Sequence, residues 1–352
     1  MSRAAEHPPG GLLLLQPAFL GDVVLSTALI EGWHAAYPDS PIQVWVRKGA
    51  HGFFEDHPFV SQVWAWDRTG WGKYLRMWSM ARQVRRTSPG VVVNLHRHAS
   101  MGLVARWVGA PNHAGFSGVP TFGVQVHQHP HGIGDGRHET ERNHALLAPW
   151  LGDFDPVRHR PKLHVAPQHV AAADSLPSGA TVLAPSSVWA TKRWPESHWT
   201  ALVDLLHAHG EPVVLLGAAS DRPLLERIAS GAKEAPCVVA GDLNLLGSAA
   251  LMAKSKAVVS NDSAPLHMAG AVGTPVVGVF CSTTPRLGFG VLPEDEASGR
   301  GQNVEVQEGE LACKPCGVHG KTACPLGHFQ CGEDVAVKAV WAALQAVSSP
   351  RA

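Results

Sequence analysis

A glycine and a carboxylate follow the first apolar run of the chain at a spacing that suits catalysis. Gly21 and Asp22 come shortly after Leu12–Leu15, where a strand would pass into a helix. Glycine permits a tight backbone turn, and the carboxylate could act as a general base that removes a proton from a hydroxyl group. An N-cap, which accepts N–H bonds at the start of a helix, is the alternative role for Asp22. The residues alone leave both roles open.

A second group of polar residues, in the middle of the chain, suits a diphosphate. The segment Pro185–Pro195 carries hydroxyl groups and Lys192, and Pro195 favours the first turn of a helix. Hydroxyls, an ammonium and a helix N-terminus together can bind phosphate oxygens. A solvated loop with an exposed Lys-Arg pair is the alternative, which two neighbouring tryptophans disfavour.

A third polar group follows a later apolar run. Asp262 and Ser263 could cap a helix whose first N–H groups receive a phosphate oxygen, and His267 could add a further donor. An ordinary capped turn between strand and helix is the alternative. If this turn shares a sheet edge with Lys192, the two motifs predict a single phosphate site.

Four cysteines lie close together near the end of the chain. Four thiols could hold a structural zinc, although the six residues between the last two are too many for a knuckle. Free thiols and a redox pair are the alternatives. We expect the group to be structural and remote from the chemistry. It comprises Cys313, Cys316, Cys324 and Cys331, with His319 and His328 between them.

Residues 71–86 predict a helix with five basic residues among aromatic and aliphatic ones. Such a helix could rest on an anionic membrane or hold a phosphate of an acceptor. Because the basic residues scatter around a helical wheel, a packed helix with solvated arginines is favoured. Arg97, at the end of the next predicted strand, is the better candidate for an acceptor phosphate, since ligands bind at the carboxyl ends of parallel strands.

Short apolar runs alternate with helix-length segments along the chain, which predicts an α/β fold with parallel sheets and crossover helices. A stretch rich in Pro and Arg, about 149–167, is the predicted linker between two Rossmann-like halves whose strand ends face a central cleft. The predicted domains are 1–160, 165–332 and a closing helix over 333–348. The predicted strands are Leu12–Leu15, Ile42–Val46, Val63–Trp66, Val91–Leu95, Thr181–Ala184, Val213–Leu216, Cys237–Ala240, Ala257–Ser260 and Val276–Phe280.

Composition excludes several classes of protein. The 352 residues include 29 basic and 29 acidic side chains, so no global field favours nucleic acid as a partner. No apolar stretch approaches the roughly 18 residues of a membrane-spanning helix. Met1–Gly10 lacks the shape of a signal peptide. We therefore expect a cytoplasmic protein with reduced thiols.

Together, the motifs resemble glycosyltransferase family 9, the bacterial heptosyltransferases. The resemblance implies a GT-B fold and an inverting transfer that needs neither metal nor cofactor. It implies ADP-L-glycero-β-D-manno-heptose as donor and the lipid-linked core of lipopolysaccharide as acceptor. The cysteine segment is similar to the tail of the members that add the second heptose. The matching stretches are A-F-L-G-D-V, W-x-x-K-R-W-P, N-D-S-A-P-L-H-M-A, N-L-H-R at 94–97 and R-H-E-T-E-R at 137–142.

The resemblance also implies roles for individual residues. Asp22 matches the catalytic base, with Gly21 and Arg97 on the acceptor side. Ala264 stands where the family usually has Gly, so a positive φ there would strain the backbone. On the donor side, Lys192 matches the diphosphate-binding lysine, Ser187 a hydroxyl ligand, Asp262, Ser263 and His267 the rest of the phosphate site, Leu243 the adenine contact and Asp221 the ribose contact.

Three alternatives remain open from the sequence. Within the same class, the chain could use another sugar nucleotide or another surface glycan. From a different class, two Rossmann-like lobes could form a non-catalytic sugar-binding receptor, although such a receptor is expected to carry a signal peptide. A nicotinamide oxidoreductase is disfavoured because the loop at Gly21 lacks the G-x-G-x-x-G spacing. A peripheral contact with the cytoplasmic face of the inner membrane is a further hypothesis.

Overall fold

A computed structural model describes residues 10–306 and 311–348. The segment assessed as a signal peptide lies outside these residues except for Gly10. Contacts divide the described residues into two units, residues 10–132 with 139–164 and residues 133–138 with 165–306 and 311–348. Over the described ranges, no helix combines the length and apolar character needed to cross a bilayer.

The first unit is built on a six-stranded parallel sheet of order β3-β2-β1-β4-β5-β6. The central strand, four consecutive leucines, is buried on both faces, as is typical of parallel sheets covered by helices. The order of the strands reverses between β1 and β4. The elements are β1 (Leu12–Leu15), α1 (Leu20–Ala36), β2 (Ile42–Arg47), β3 (Val60–Trp66), α2 (Lys73–Arg86), β4 (Val91–Asn94), α3 (Ala99–Val108), β5 (Asn112–Phe116), β6 (His127–His129), α4 (Glu139–His144) and α5 (Ala148–Leu151).

The second unit repeats this plan with the order β12-β11-β10-β7-β8-β9, again parallel throughout. Here the order reverses between β7 and β10. The last helix, α13, packs on this sheet through Val340, Leu344 and Val347. The elements are α6 (Pro167–Ala173), β7 (Thr181–Ala184), α7 (Glu196–Ala208), β8 (Val213–Gly217), α8 (Arg222–Gly231), β9 (Cys237–Ala240), α9 (Leu245–Ala253), β10 (Ala257–Asn261), α10 (Ala264–Ala271), β11 (Val276–Phe280), α11 (Pro293–Ala297), β12 (Gly301–Glu305), α12 (Gln330–Glu333) and α13 (Val337–Ser348).

All nine predicted strands are present, and the predicted class of two Rossmann-like α/β halves is confirmed. The sequence missed β5, β6 and β12. Two of these, β6 and β12, are edge strands, and all three contain His, Asn, Gln or Gly where an apolar run was sought. β5 and β12 pair with the apolar strands β4 and β11, and β6 pairs with β5 in turn, so pairing, and not their own propensity, makes them strands.

Two buried histidines of the first unit have strongly depressed pKa values. Burial, with a smaller contribution from His164, lowers the pKa of His57 to about 4. Burial, followed by the neighbouring His144, does the same for the pKa of His159, also to about 4. Both residues are only 7% exposed. These imidazoles are therefore neutral in the folded chain across the physiological range.

Stability should fall as the pH drops from about 6.5 to about 4. In the unfolded chain His57 and His159 regain a pKa near 6.5, so over this interval the unfolded state binds more protons and the free energy of unfolding decreases. At 1.36 kcal/mol for each pKa unit, the two residues together account for a loss on the order of a few kcal/mol. Urea unfolding at a series of pH values measures this slope. His57→Gln should flatten it, whereas replacing the exposed His127 by Gln should not; equal slopes in both variants would contradict the assignment.

Candidate active site

An ion pair joins two loops where the strand order of the second sheet reverses. Lys192 ends a short helical turn after β7, and Asp262 directly follows β10. The Lys192 Nζ lies 2.6 Å from the Asp262 Oδ2, with the two side chains 13% and 7% exposed. The Thr283 hydroxyl donates to the same carboxylate oxygen at 2.6 Å. Since ligands of such sheets bind at this switch point, the structure brings two of the predicted phosphate residues to the expected place.

The pair assigns different tasks to its two members. A carboxylate can only accept hydrogen bonds, so Asp262 cannot itself contact a phosphate oxygen favourably. Its position instead orients the Lys192 ammonium. Of the three N–H donors of that ammonium, one is directed at Asp262, and the others can bind a ligand. Asp262 is not the N-cap of α10, a position that belongs to Ser263, and its part in the phosphate site stays a prediction.

The loop after β7 contains one hydroxyl that the sequence did not single out. Ser187 Oγ accepts a long bond of 3.4 Å from the Trp189 N–H, and its carbonyl accepts from Arg193 at 2.8 Å. Ser186 Oγ is buried and has no hydrogen-bond partner in the described part of the chain. A buried hydroxyl normally finds a partner. Ser186 therefore joins Ser187 as a candidate phosphate contact, and its place at the end of a central strand was the available signal.

Helix α10 presents its N-terminus at the same edge. Ser263 is its N-cap residue, but the Ser263 side chain makes no capping bond and lies 3.4 Å from the Ser260 hydroxyl. Ala264 is the first residue of the helix, where φ is negative, so the strain considered for an alanine here does not arise. His267 follows in the next positions of α10 and is buried. The first N–H groups of this helix have no partner within it and suit an anion.

The two remaining donor-side candidates follow the next strands of the sheet. Asp221 lies beyond β8, where its Oδ2 accepts the Ala218 N–H at 2.9 Å. Leu243 lies beyond β9, half-buried before α9. The Gly241 N–H donates to the Gly217 carbonyl at 3.0 Å, so these two loops touch. The predicted donor residues thus form a row along the carboxyl ends of β10, β7, β8 and β9.

Asp22 occupies the corresponding edge of the first sheet. It is the third residue of α1, and the N-cap position belongs to Phe19, which makes no side-chain capping bond. The alternative that Asp22 is the N-cap is therefore wrong. Gly21 is likewise the second residue of α1 and does not form a tight turn before it. The half-buried Asp22 carboxylate sits in the first turn, where the helix dipole favours negative charge.

Three arginines gather at this edge, two of which the sequence missed. Burial, and then the charge of Arg68, lowers the pKa of Arg47, while Asp22 acts in the opposite direction. Burial lowers the pKa of His96 to about 4, assisted by His98, Arg68 and Arg97. The charge of Arg68 thus acts on both Arg47 and His96, and that of Arg97 acts on His96. Arg47 ends β2 and Arg68 follows β3, so their positions at strand ends were the signal.

Comparison with known proteins decides the family. A model described as glycosyltransferase family 9 (heptosyltransferase) matches residues 77–315. The chain belongs to this family. Lipopolysaccharide heptosyltransferase 1 of Pseudomonas aeruginosa is 27% identical over 318 residues, which cover 87% of this chain and 85% of that protein.

Solved structures confirm the fold of this family 9 chain. A family 9 glycosyltransferase from Veillonella parvula superposes with a TM-score of 0.83 at 18% identity, over 98% of this chain and 99% of that one. The E. coli ADP-heptose lipopolysaccharide heptosyltransferase II gives 0.78 at 21% identity, over 96% and 98%. The predicted GT-B fold is confirmed, and the chain is a glycosyltransferase.

The cysteine segment of this family 9 member supports the loop that carries Lys192. The Lys321 N–H donates to Thr191 Oγ1 at 2.8 Å, and the Thr191 N–H donates to the Lys321 carbonyl at 3.1 Å. A Cβ atom at Gly320 would overlap Trp189 and lie 2.9 Å from Lys192 Cγ. The expectation that this segment is remote from the predicted site is therefore wrong.

The thiols themselves differ in environment. Burial, and then Cys316, raises the pKa of Cys331 to about 11. Backbone N–H groups around the Cys324 sulfur, that of Phe329 foremost, lower the pKa of that thiol. The Cys313 sulfur lies 4.0 Å from His328 Nε2. Zinc at these four cysteines stays a prediction beside free thiols.

A carboxylate and two imidazoles in the first unit have the spacing of metal ligands. Ligand atoms of Glu31, His57 and His164 lie within 4.8 Å of one another. His57 Nδ1, however, accepts the Phe59 N–H at 3.2 Å, so the neutral ring carries its proton on Nε2 and has no lone pair there for a metal. Lys162 Nζ also lies 3.4 Å from Glu31. These contacts describe an ion-pair network.

Proposed function

We propose that the chain transfers a heptosyl group from ADP-L-glycero-β-D-manno-heptose to the inner core of lipopolysaccharide, with inversion at the anomeric carbon. The observation that carries the proposal is the buried Lys192–Asp262 pair at the switch point of the second sheet, beside the N-terminus of α10. It rests also on membership of family 9 and on relatives named as lipopolysaccharide heptosyltransferases. The remaining alternative, a family 9 transferase that uses another sugar nucleotide or another surface glycan, is an outcome of the test below.

The row of candidate residues on the second sheet suggests how the donor nucleotide would be oriented. The diphosphate would lie over β7 and β10, between Lys192 and the N–H groups of α10. The ribose and adenine would then extend along β8 and β9, toward Asp221 and Leu243. Because negative charge grows on the diphosphate as the glycosidic bond breaks, an ammonium fixed there stabilises the transition state more than the ground state.

The first unit supplies the proposed acceptor side. Asp22 would take the proton of the attacking hydroxyl, whose oxygen bonds to the anomeric carbon while ADP departs. Because the attack comes from the face opposite ADP, the configuration at the anomeric carbon is inverted. Arg47, Arg68 and Arg97 suit an acceptor with several anionic groups, since guanidinium binds carboxylate and phosphate oxygens bidentately. The lipid-linked acceptor would bring the protein to the cytoplasmic face of the inner membrane.

The test is transfer to defined, truncated core acceptors, followed by mass spectrometry. With ADP-heptose as donor, the mass of the acceptor should increase by one heptosyl residue. Each transfer should also release one ADP. UDP- and GDP-sugars serve as controls. Faster transfer from another sugar nucleotide would assign a different donor. Absence of transfer to every core acceptor would contradict the proposed acceptor and favour another surface glycan.

A further inference from the structure

Helix α2 and the residue two positions before it expose large apolar side chains. Leu75 and Trp78 are 72% and 41% exposed, and their spacing of three residues places them on one side of the helix. Trp71, which precedes the helix and the left-handed Gly72, is 100% exposed. The opposite side of the helix, with Met77, is buried in the core. The favoured packed helix with solvated arginines is present, since Met77, Ala81 and Val84 are buried, but large apolar side chains face the solvent as well.

Basic residues lie on the same side of α2 as Leu75 and Trp78, toward the end of the helix. Arg82, Arg85 and Arg86 are exposed and follow Trp78 at helical spacing, so these three share the outward side although the five basic residues of the segment do not. The Arg82 guanidinium lies 4.8 Å from the Trp78 ring centroid. Helix α2 contains no acidic residue. The outward side of α2 is thus apolar and aromatic in its N-terminal half and cationic in its C-terminal half.

We propose that this outward side of α2 docks on an anionic lipid bilayer. Tryptophan rings prefer the level of the headgroups, where their apolar body is buried and the N–H stays hydrated. Arginines next to them would contact anionic headgroups, each adding to the attraction of the surface. The complementarity of charge, together with exposed rings, selects a bilayer as the occupant.

The position of α2 fits this docking. Because helices of a parallel α/β unit start at the carboxyl ends of the strands, the Trp71 end of α2 lies at the edge of the first sheet that also carries Asp22 and Arg97. Docking would bring that edge to the membrane. The functional value of this orientation rests on the proposed function, because it requires a lipid-linked acceptor. The docking itself does not.

Flotation with vesicles tests the proposal. The chain should float with vesicles of phosphatidylglycerol and phosphatidylethanolamine, and far less with phosphatidylcholine alone. Trp71→Ser/Leu75→Ser/Trp78→Ser should weaken the binding at least about tenfold, because the inserted apolar area is lost. Arg82→Gln/Arg85→Gln/Arg86→Gln should weaken it and reduce its salt dependence. Val157→Ser/Leu326→Ser, which replaces two exposed apolar residues elsewhere, is the matched control and should bind as the unaltered chain does.

A second measurement separates docking from catalysis. Transfer to a delipidated core oligosaccharide should be equal in the unaltered chain and the Trp71/Leu75/Trp78 variant, and their melting temperatures should agree. Vesicle binding without any heptosyl transfer would overturn the proposed function and leave the docking intact. Equal vesicle binding by the chain and this variant would overturn the docking. The docking would also be overturned if the Trp71/Leu75/Trp78 variant differed from the unaltered chain only by dissociation of a dimer. The surface would then be an interface between copies of the chain.

Discussion

Asp22→Asn should lower the turnover number about 10²- to 10⁴-fold, the range for loss of a general base. The amide keeps the shape of the carboxylate but cannot accept the proton of the attacking hydroxyl. Affinity for ADP should stay unchanged, because the donor candidates belong to the second unit. Steady-state transfer rates and calorimetric titration of ADP measure the two quantities on one preparation.

Glu196→Gln provides the matched control for this variant. Glu196 is also a carboxylate in the first turn of a helix, and it forms an exposed ion pair with Arg227 at 2.8 Å. Its loss should leave turnover unchanged. If Asp22→Asn retained near-normal turnover, Asp22 would serve only the electrostatics of the helix terminus.

Lys192→Ala should weaken ADP binding by about 1.5–3 kcal/mol, the usual value of a charge-assisted contact. The turnover number should fall as well, because the contact strengthens as charge develops on the leaving group. The KM of the acceptor should hardly change. Lys192→Arg should restore only part of the activity, since a planar fork does not replace a compact ammonium. Calorimetry with ADP and steady-state kinetics check these expectations.

The buried partner of Lys192 requires a second variant. Lys192→Ala leaves the Asp262 carboxylate unpaired, and breaking a buried ion pair costs roughly 3–5 kcal/mol of stability. Lys192→Ala/Asp262→Asn removes that charge and should recover stability without recovering ADP affinity. Replacing the exposed Lys233 by Ala is the control for a simple loss of charge. Equal ADP affinity in all of these proteins would move the phosphate site toward Arg193.

The sequence predicted the fold well because its central strands are continuous apolar runs. Leu12–Leu15 and Val91–Asn94 are buried on both faces, so their composition alone indicates strands of a parallel sheet. The edge strand His127–His129 has no such signal, because it depends on pairing with a neighbour. Propensity cannot supply a pairing that only the folded chain creates.

For the candidate site, the sequence predicted the sheet edge but not the contacts between its residues. Lys192 and Asp262 each follow an apolar strand, which indicates the correct sheet edge. Their direct ion pair depends on β7 and β10, which are far apart in sequence, lying side by side, and the sequence does not reveal that neighbourhood. Arg47 and Arg68 were missed although each lies at a strand end, because only the pairing of β2 with β3 and β1 brings Arg47 into the range of both Asp22 and Arg68.

The contact between Gly320 and Lys192 constrains how this chain can exchange parts with its relatives. The donor loop and the cysteine segment are far apart in sequence but share a surface on which only a glycine fits. A chimera that receives Pro185–Pro195 from another family member without its own partner segment would place foreign side chains against Gly320. The two stretches should therefore be inherited, or transplanted, as a pair.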